Sequence, residues 1–422
     1  MTVDYLGQAV NAVNSVNFET EATLDPAIQF PHPRSNRLGG SDTTHQASDI
    51  FLTGATGFLG AFLLAELLRR TTANIHCLIR TPDPASGQQR LGQHLDRFGL
   101  WQDAFRTRII PIPGDLSQPL FGLSVQQFNA LAAQVEMIYH NGGLLNAARP
   151  YLALKPTNVL GTQEVLRLAG LTRTKPVHFT STLSLFFTPT YATSGRISET
   201  DVPILDAHLK GGYKRSKWCA EQLVIAAQDR GLPACIYRPI RIAGHSTTGI
   251  TSSQDDLLNS LLKSCILMAQ WPELDIDIPL VPVDYVSHAL IHLSLQEASF
   301  GKSFHFVNPH PMAWSAVGDF LRSCGYPLVD IGYEQWRGEL KRRSAEATGA
   351  KKELYTRLRL LLNAPNNLFI PKPAYALPHT QAGLAGTSLV CPPVDASLMA
   401  TYVSYFQKNG YFPLPHESGL SD

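Results

Sequence analysis

The sequence predicts an α/β fold: a doubly wound parallel sheet followed by a smaller, mainly helical C-terminal domain. Three observations carry that prediction. From Asp49 onward, strand-like and helix-like segments alternate for about 200 residues, the pattern of a parallel sheet with helices on both faces. The first strand runs directly into a glycine-spaced turn and then an apolar helix, Phe62 to Arg70. Near Gly249 the alternation stops, and helical patterns take over.

Taken in order, residues 1–48 read as a linker-like lead-in. Leu24-Asp25-Pro26 and Pro31-His32-Pro33 give turns and extended chain, and Gly39 to Ser48 is polar and loop-like. A cofactor-binding domain is expected over 49–249, its sheet completed by strands from 276–310, and a substrate domain over 250–422. After Asp49 to Thr53, the strand candidates are Asn74 to Ile79, Arg108 to Ile112, Val135 to His140, Pro176 to Thr180 and Ala234 to Arg238. Helical patterns cover Tyr151 to Ala169 and Tyr213 to Gln228. Beyond Gly249, helices are expected at 255–270 and 313–324, with short strands at Ile276 to Val283 and Lys302 to Val307. A charged helical stretch from Arg337 to Leu362 and an amphipathic helix from Ala396 to Asn409 complete the chain.

Composition narrows the function classes. The 422 residues are 44% hydrophobic and 16% charged, with a formal net charge of +1, too balanced for a bulk polyanion binder such as a nucleic-acid protein. The six cysteines form no CxxC pair, and several lie in apolar runs, as expected for free thiols in a reducing compartment. The fourteen histidines show no HxH or HExxH spacing, so no metal is expected. No secretory pattern stands at the N-terminus, and no stretch approaches ~20 uninterrupted apolar residues. The expectation is a cytoplasmic protein that neither enters nor spans a membrane.

Gly54-Ala55-Thr56-Gly57-Phe58-Leu59-Gly60 places a GxxGxxG spacing between a strand and a helix. Glycines there allow a tight turn and close approach of backbone N–H groups to a pyrophosphate on the helix N-terminus, as in Rossmann-like domains. Gly54, Thr56, Gly57, Phe58, Leu59 and Gly60 are therefore candidate cofactor contacts. An NAD-preferring site has an acidic residue about 20 residues further on. Here the second strand ends in Cys77-Leu78-Ile79-Arg80, with Arg90 beyond it. Guanidinium groups suit the 2′-phosphate of NADPH, which is expected over NADH. Asp115-Leu116, closing the third strand, is placed to meet the adenine edge.

Tyr213 and Lys217 lie four apart at the start of a helix and so share one face. An ammonium one turn from a phenol tunes it for proton transfer. Phe179-Thr180-Ser181-Thr182-Leu183 brings hydroxyls to the carboxyl edge of the sheet beside the cofactor crevice. Hydroxyl, phenol and amine beside a dinucleotide site form a hydride-transfer constellation.

With these residues the sequence resembles the extended short-chain dehydrogenase/reductases, whose catalytic Ser/Thr, Tyr and Lys fall on Thr182 (with Ser181 the neighbouring alternative), Tyr213 and Lys217. His140-Asn141-Gly142-Gly143, Asn158-Val159-Leu160-Gly161-Thr162, Gly212-Tyr213 to Lys217-Trp218, Arg238-Pro239, Gly244-His245-Ser246 and Val281 to Val286 resemble the terminal thioester reductase domains of nonribosomal peptide and polyketide synthetases. The similarity runs from about residue 22 to Tyr411-Phe412-Pro413, departing at Ile240, where Gly is usual, and at Gly143, where Ala is usual. The resemblance adds Asn141, Gly142, Pro239 and Ile242, with Tyr213 and Lys217 themselves, to the candidate cofactor contacts. It implies a monomeric domain whose partner is an acyl or peptidyl carrier protein with a phosphopantetheine arm. The product would be an aldehyde, with further reduction to an alcohol left open. A fatty acyl-CoA reductase, or another extended-family reductase or epimerase acting on a free small substrate, is the alternative. A nonenzymatic NADP sensor would tend to lose the Tyr or Lys, and both are present.

The stretch Arg337 to Arg359 holds eight basic residues against Glu339, Glu346 and Glu353. A solvated helix face is the first reading; a docking surface for an acidic carrier protein is the sharper one.

Overall fold

The computed structural model describes residues 16–31, 47–146, 148–192, 195–252, 256–363 and 373–416. Most of the expected lead-in loops, including His32-Pro33 and nearly all of Gly39 to Ser48, lie outside them. Two compact units emerge. The first comprises Met1–Pro239, Val286–Phe306 and Lys372–Leu389; the second comprises Ile240–Tyr285, Val307–Pro371 and Val390–Asp422.

The first unit is organised by a seven-stranded sheet. Its strands are β1 (Asp49–Thr53), β2 (Asn74–Ile79), β3 (Ile109–Pro113), β4 (Met137–His140), β5 (Val177–Thr180), β6 (Ala234–Pro239) and β7 (Ser303–Phe306). Their spatial order is β3-β2-β1-β4-β5-β6-β7, parallel throughout. Strands covered on both faces are apolar on both, and Ile50, Phe51 and Leu52 of β1 are buried in succession. The order reverses between β1 and β4, and the crevice outside the carboxyl ends at such a reversal is where open α/β sheets bind ligands.

Four helices connect the strands β1 to β5: α1 (Phe58–Arg70), α2 (Pro84–Arg97), α3 (Val125–Gln134) and α4, which starts as Tyr151–Lys155 and ends as Gly161–Gly170. In α4 the turn Pro156–Leu160 is π-helical. Proline lacks the amide hydrogen an α-helix interior needs, and a widened turn accommodates it. The long helix α5 (Gly212–Asp229) follows. Gly212 is required at its start because a Cβ there would overlap the Arg149 carbonyl oxygen.

Part of the expected lead-in is packed. Asn17 caps a short helix, Phe18–Glu21, and Phe18, Leu24, Ile28 and Phe30 are buried. Arg230 donates to the carbonyl oxygens of Leu24, Asp25 and Ile28 at 2.8–2.9 Å.

In the second unit, α6 (Leu257–Met268), α8 (Trp314–Ser323), α9 (Tyr333–Glu346), α10 (Gly349–Asn363) and α11 (Ala396–Lys408) share one apolar core; α7 (Val283–Ser294) begins here and continues in the first unit. Trp271 and Trp314 stack at its centre, ring centroids 4.0 Å apart. A Cβ on Gly318 would lie 2.6 Å from the Trp271 indole nitrogen, so α8 meets that ring through a glycine.

This unit begins at Ile240, before the Gly249 where the sequence alternation ends. Arg241–Ala243 leaves the main sheet and pairs with Leu280–Pro282. Asp277–Ile278 likewise pairs with Met312–Ala313, so Ser303–Phe306 alone of the segment 276–310 joins the seven-stranded sheet. The stretch Arg337 to Leu362 is two helices, parted near Gly349, whose φ of 54° lies in the left-handed region.

Candidate active site

Gly54, with φ of 78°, turns the chain out of β1. A Cβ on it would lie 2.7 Å from the Gly142 nitrogen, and one on Gly60 would overlap the Gly54 carbonyl oxygen. Backbones therefore approach here as side chains would forbid. Gly57 is the N-cap of α1 and has no side chain to cap it, leaving amide donors at the helix N-terminus for an anion. Gly142 donates to the Thr53 hydroxyl at 2.9 Å, placing Asn141-Gly142 beside the turn. The Leu116 side chain packs against Gly142 and Gly161, and Asp115 accepts from the Ser117 amide and hydroxyl at 2.9 and 2.8 Å. This cradle fits a dinucleotide pyrophosphate.

Arg80 follows β2 and is exposed, and Arg90 on α2 donates to the Arg80 carbonyl oxygen at 2.8 Å. Two guanidinium-bearing residues thus stand together at the end of β2. Pro239 closes β6. Ile242 lies on the short strand Arg241–Ala243 in the second unit.

At the end of β5, the Thr182 side chain lies beside the Tyr213 phenol. Thr182 accepts from the Ser184 amide at 3.1 Å, which fixes its hydroxyl. Burial pushes the Tyr213 phenol up to about 12, with the neighbouring Thr182 acting in the opposite direction, so it carries its proton at neutral pH. Lys217 donates to the Thr180 carbonyl oxygen at 2.7 Å and lies 4.3 Å from the centre of the Phe179 ring. Burial pulls its ammonium down to about 8, and Glu221 acts in the opposite direction. Ser181 is turned away from this group: its hydroxyl donates to Glu221.

His140, Asn158, Thr162 and Ser216 stand in the motifs that carry the resemblance, but the sequence reading gave them no place in the site. His140 is buried, with Nδ1 2.8 Å from the Thr53 hydroxyl and Nε2 2.9 Å from that of Thr162. Thr162 donates to the Asn158 carbonyl oxygen, so it accepts from His140, and His140 Nδ1 accepts from Thr53. Burial and the nearby Lys217 hold this imidazole down at about 3, hence neutral. Asn158, on the π turn, bonds both backbone groups of Leu144, at 2.7 and 3.0 Å, and donates to Ser216 at 2.9 Å. Ser216 in turn donates to the Tyr213 carbonyl oxygen at 2.8 Å. The available signal was polar residues inside otherwise apolar helical stripes. Among the described residues, no group of three or more His, Cys, Asp or Glu is placed to hold a metal, and no helix is long and apolar enough to cross a membrane.

The family model described as Male sterility protein, an NAD-binding family, matches residues 52–290. A solved structure, the terminal R domain from the myxalamid PKS-NRPS pathway, is 40% identical with a TM-score of 0.85, covering 94% of this chain and 98% of that one. The chain belongs to this family. The solved relative is a terminal reductase domain, and the chain is an oxidoreductase of the extended short-chain dehydrogenase/reductase type with an NAD(P)-binding domain. A linear gramicidin synthase polypeptide of Brevibacillus parabrevis is 37% identical over 409 residues, 94% of this chain and 8% of that polypeptide. Isonitrile lipopeptide synthase of Streptomyces coeruleorubidus is 35% identical over 405 residues, again 94% of this chain and 26% of the synthase. The chain thus spans a minor part of these curated relatives. As a terminal reductase domain, it has its glycine turn, Thr182, Tyr213 and Lys217 in the first unit, around the carboxyl edge of one sheet.

Proposed function

We propose that this chain is an NADPH-dependent reductase that releases an acyl or peptidyl group from the phosphopantetheine arm of a carrier protein as an aldehyde. The observation that carries the reading is the convergence of Thr182, Tyr213 and Lys217 on the end of β5. Gly54, Thr56, Gly57, Phe58, Leu59 and Gly60, with Asn141 and Gly142, would hold the dinucleotide, Asp115 and Leu116 its adenine edge, and Arg80 with Arg90 its 2′-phosphate. Within the first unit, Pro239 would line the nicotinamide side. When bound, the reduced nicotinamide supplies the hydride for the thioester carbonyl carbon.

The chain's own residues manage the oxygen and the proton. Thr182 and Tyr213 donate hydrogen bonds to the thioester carbonyl oxygen, which gains negative charge as the carbon is reduced. Tyr213, protonated at neutral pH, delivers its proton to that oxygen. Lys217 would hold the cofactor's ribose, and its positive charge would ease formation of the phenolate. The hemithioacetal then collapses: the carbon–sulfur bond breaks, the aldehyde carbonyl forms, and the pantetheine sulfur leaves as a thiol. The thioester consumes one hydride and one proton.

Incubation with NADPH and a synthetic pantetheine thioester, with the aldehyde trapped as an oxime, tests the reading. Wild-type protein is expected to release aldehyde and thiol in equal amounts. Tyr213→Phe is expected to lose about 100-fold or more in kcat while still binding NADPH. Wild-type turnover by Tyr213→Phe, or no aldehyde from the wild type, would overturn it.

A further inference from the structure

The face of α5 that carries Tyr213 and Lys217 continues one turn further to Glu221, which is fully buried. Three residues four apart on the helix engage three consecutive residues at the end of β5. Tyr213 lies beside Thr182, Lys217 donates to the Thr180 carbonyl oxygen, and Glu221 accepts from the Ser181 hydroxyl. From β6, Arg238 places both Nε and Nη2 on one carboxylate oxygen of Glu221, at 3.0 and 2.8 Å, while Ser181 takes the other oxygen. Arg238 is 1% exposed, and its Nη1 lies 3.1 Å from His305 Nε2 on β7. Burial and the adjacent guanidinium hold His305 far below its ordinary value, so it is a neutral acceptor.

We propose that Glu221 is a positioning residue for the reduction, directing the Ser181–Thr182 turn and keeping Lys217 charged inside the protein. The inference rests on the reading of Thr182, Tyr213 and Lys217 given above. An ion pair that only held α5 to β6 would need neither the Ser181 bond nor the four-residue spacing from Lys217. Both observations tie the carboxylate to residues that adjoin the reacting group, Ser181 next to Thr182 and Lys217 one turn away on α5. An ammonium withdrawn from water tends to lose its proton, and an adjacent carboxylate opposes that loss. The groups facing Lys217 are Tyr213 and Glu221 of its own helix, His140 of β4 and the Phe179 ring of β5. Arg238 of β6 reaches the same carboxylate. Of these, Glu221 alone is a carboxylate.

The test is the pH dependence of kcat with NADPH and a pantetheine thioester. Absence of aldehyde from the wild type would fail the functional reading itself; the outcomes below apply once the wild type turns over. Glu221→Gln keeps the shape and removes the charge, so its alkaline limb is expected about one pH unit lower than in the wild type. Glu221→Asp is expected to restore the limb. Ser181→Ala removes the tether without touching a charge: kcat is expected to fall about tenfold, with KM for NADPH and the limb unchanged. Arg238 left unpaired in Glu221→Gln could prevent folding, and Ser181→Ala then decides the positioning role by itself. A folded Glu221→Gln with the wild-type limb, or Ser181→Ala with wild-type kcat, would overturn the proposal.

Discussion

Ser181 and Thr182 are adjacent hydroxyls with opposite commitments. One is buried against Glu221, and the other faces Tyr213 beside the crevice. Strand alternation sends neighbouring side chains to opposite sides, so only one of the pair can serve the site. The same scale governs cofactor choice. Arg80 is exposed at the end of β2, and Arg90 is committed to its carbonyl oxygen. Charge-assisted bonds to a phosphate contribute about 1.5–3 kcal/mol. Arg80→Ala is therefore expected to lower kcat/KM for NADPH roughly 10- to 100-fold and leave that for NADH nearly unchanged. An unaltered ratio between the two cofactors would remove Arg80 from the 2′-phosphate site.

At the scale of elements, glycines separate close approach from mere flexibility. Gly60 lies where α1 meets the turn from β1, and a methyl group there would overlap the backbone of Gly54. Gly338 lies within α9 with nothing near its Cβ position. Gly60→Ala is expected to destabilise the protein by about 1–3 kcal/mol and to weaken NADPH binding. Gly338→Ala is expected to stabilise it by about 0.5–1 kcal/mol. Urea midpoints compared at constant m would check both, and equal shifts would contradict the packing argument. The elements themselves were largely legible, because β1, the glycine turn and α1 are contiguous and each has its own period. The π turn in α4 was not: Pro156 interrupts a helical pattern that continues on both sides, and tertiary packing decides between a break and a widened turn. The break between α9 and α10 was likewise hidden, since charged residues continue across it.

For the whole molecule, the net charge of +1 averages over the basic run from Arg337 to Arg359. Three of its eight basic residues are paired locally: Arg337 with Glu334, Arg342 with Glu339 and Glu346, and Arg343 with Glu339. Lys341, Lys351 and Lys352 are exposed and form no ion pair among the described residues. The pairing favours the solvated-face reading. Reversing these three lysines to Glu is expected to change stability by less than about 1 kcal/mol. The ratio of turnover on a carrier-bound thioester to that on a free pantetheine thioester is expected to stay unchanged. A fall confined to the carrier-bound substrate would restore the docking reading.

The sequence by itself determined the features that depend on local spacing: the strand–helix alternation, the glycine turn, and Tyr213 and Lys217 on one face of α5. Periods of two and 3.6 residues place such groups without reference to the rest of the chain. Only the tertiary structure decided which hydroxyl meets Tyr213, that Glu221 is held by Arg238, and that the second unit is assembled from separate stretches of chain. Those outcomes depend on strand order and register, with Ser303 set beside Ile236 and Val177 beside Ala234, and on burial, which makes an unpaired charge costly enough to select its partner.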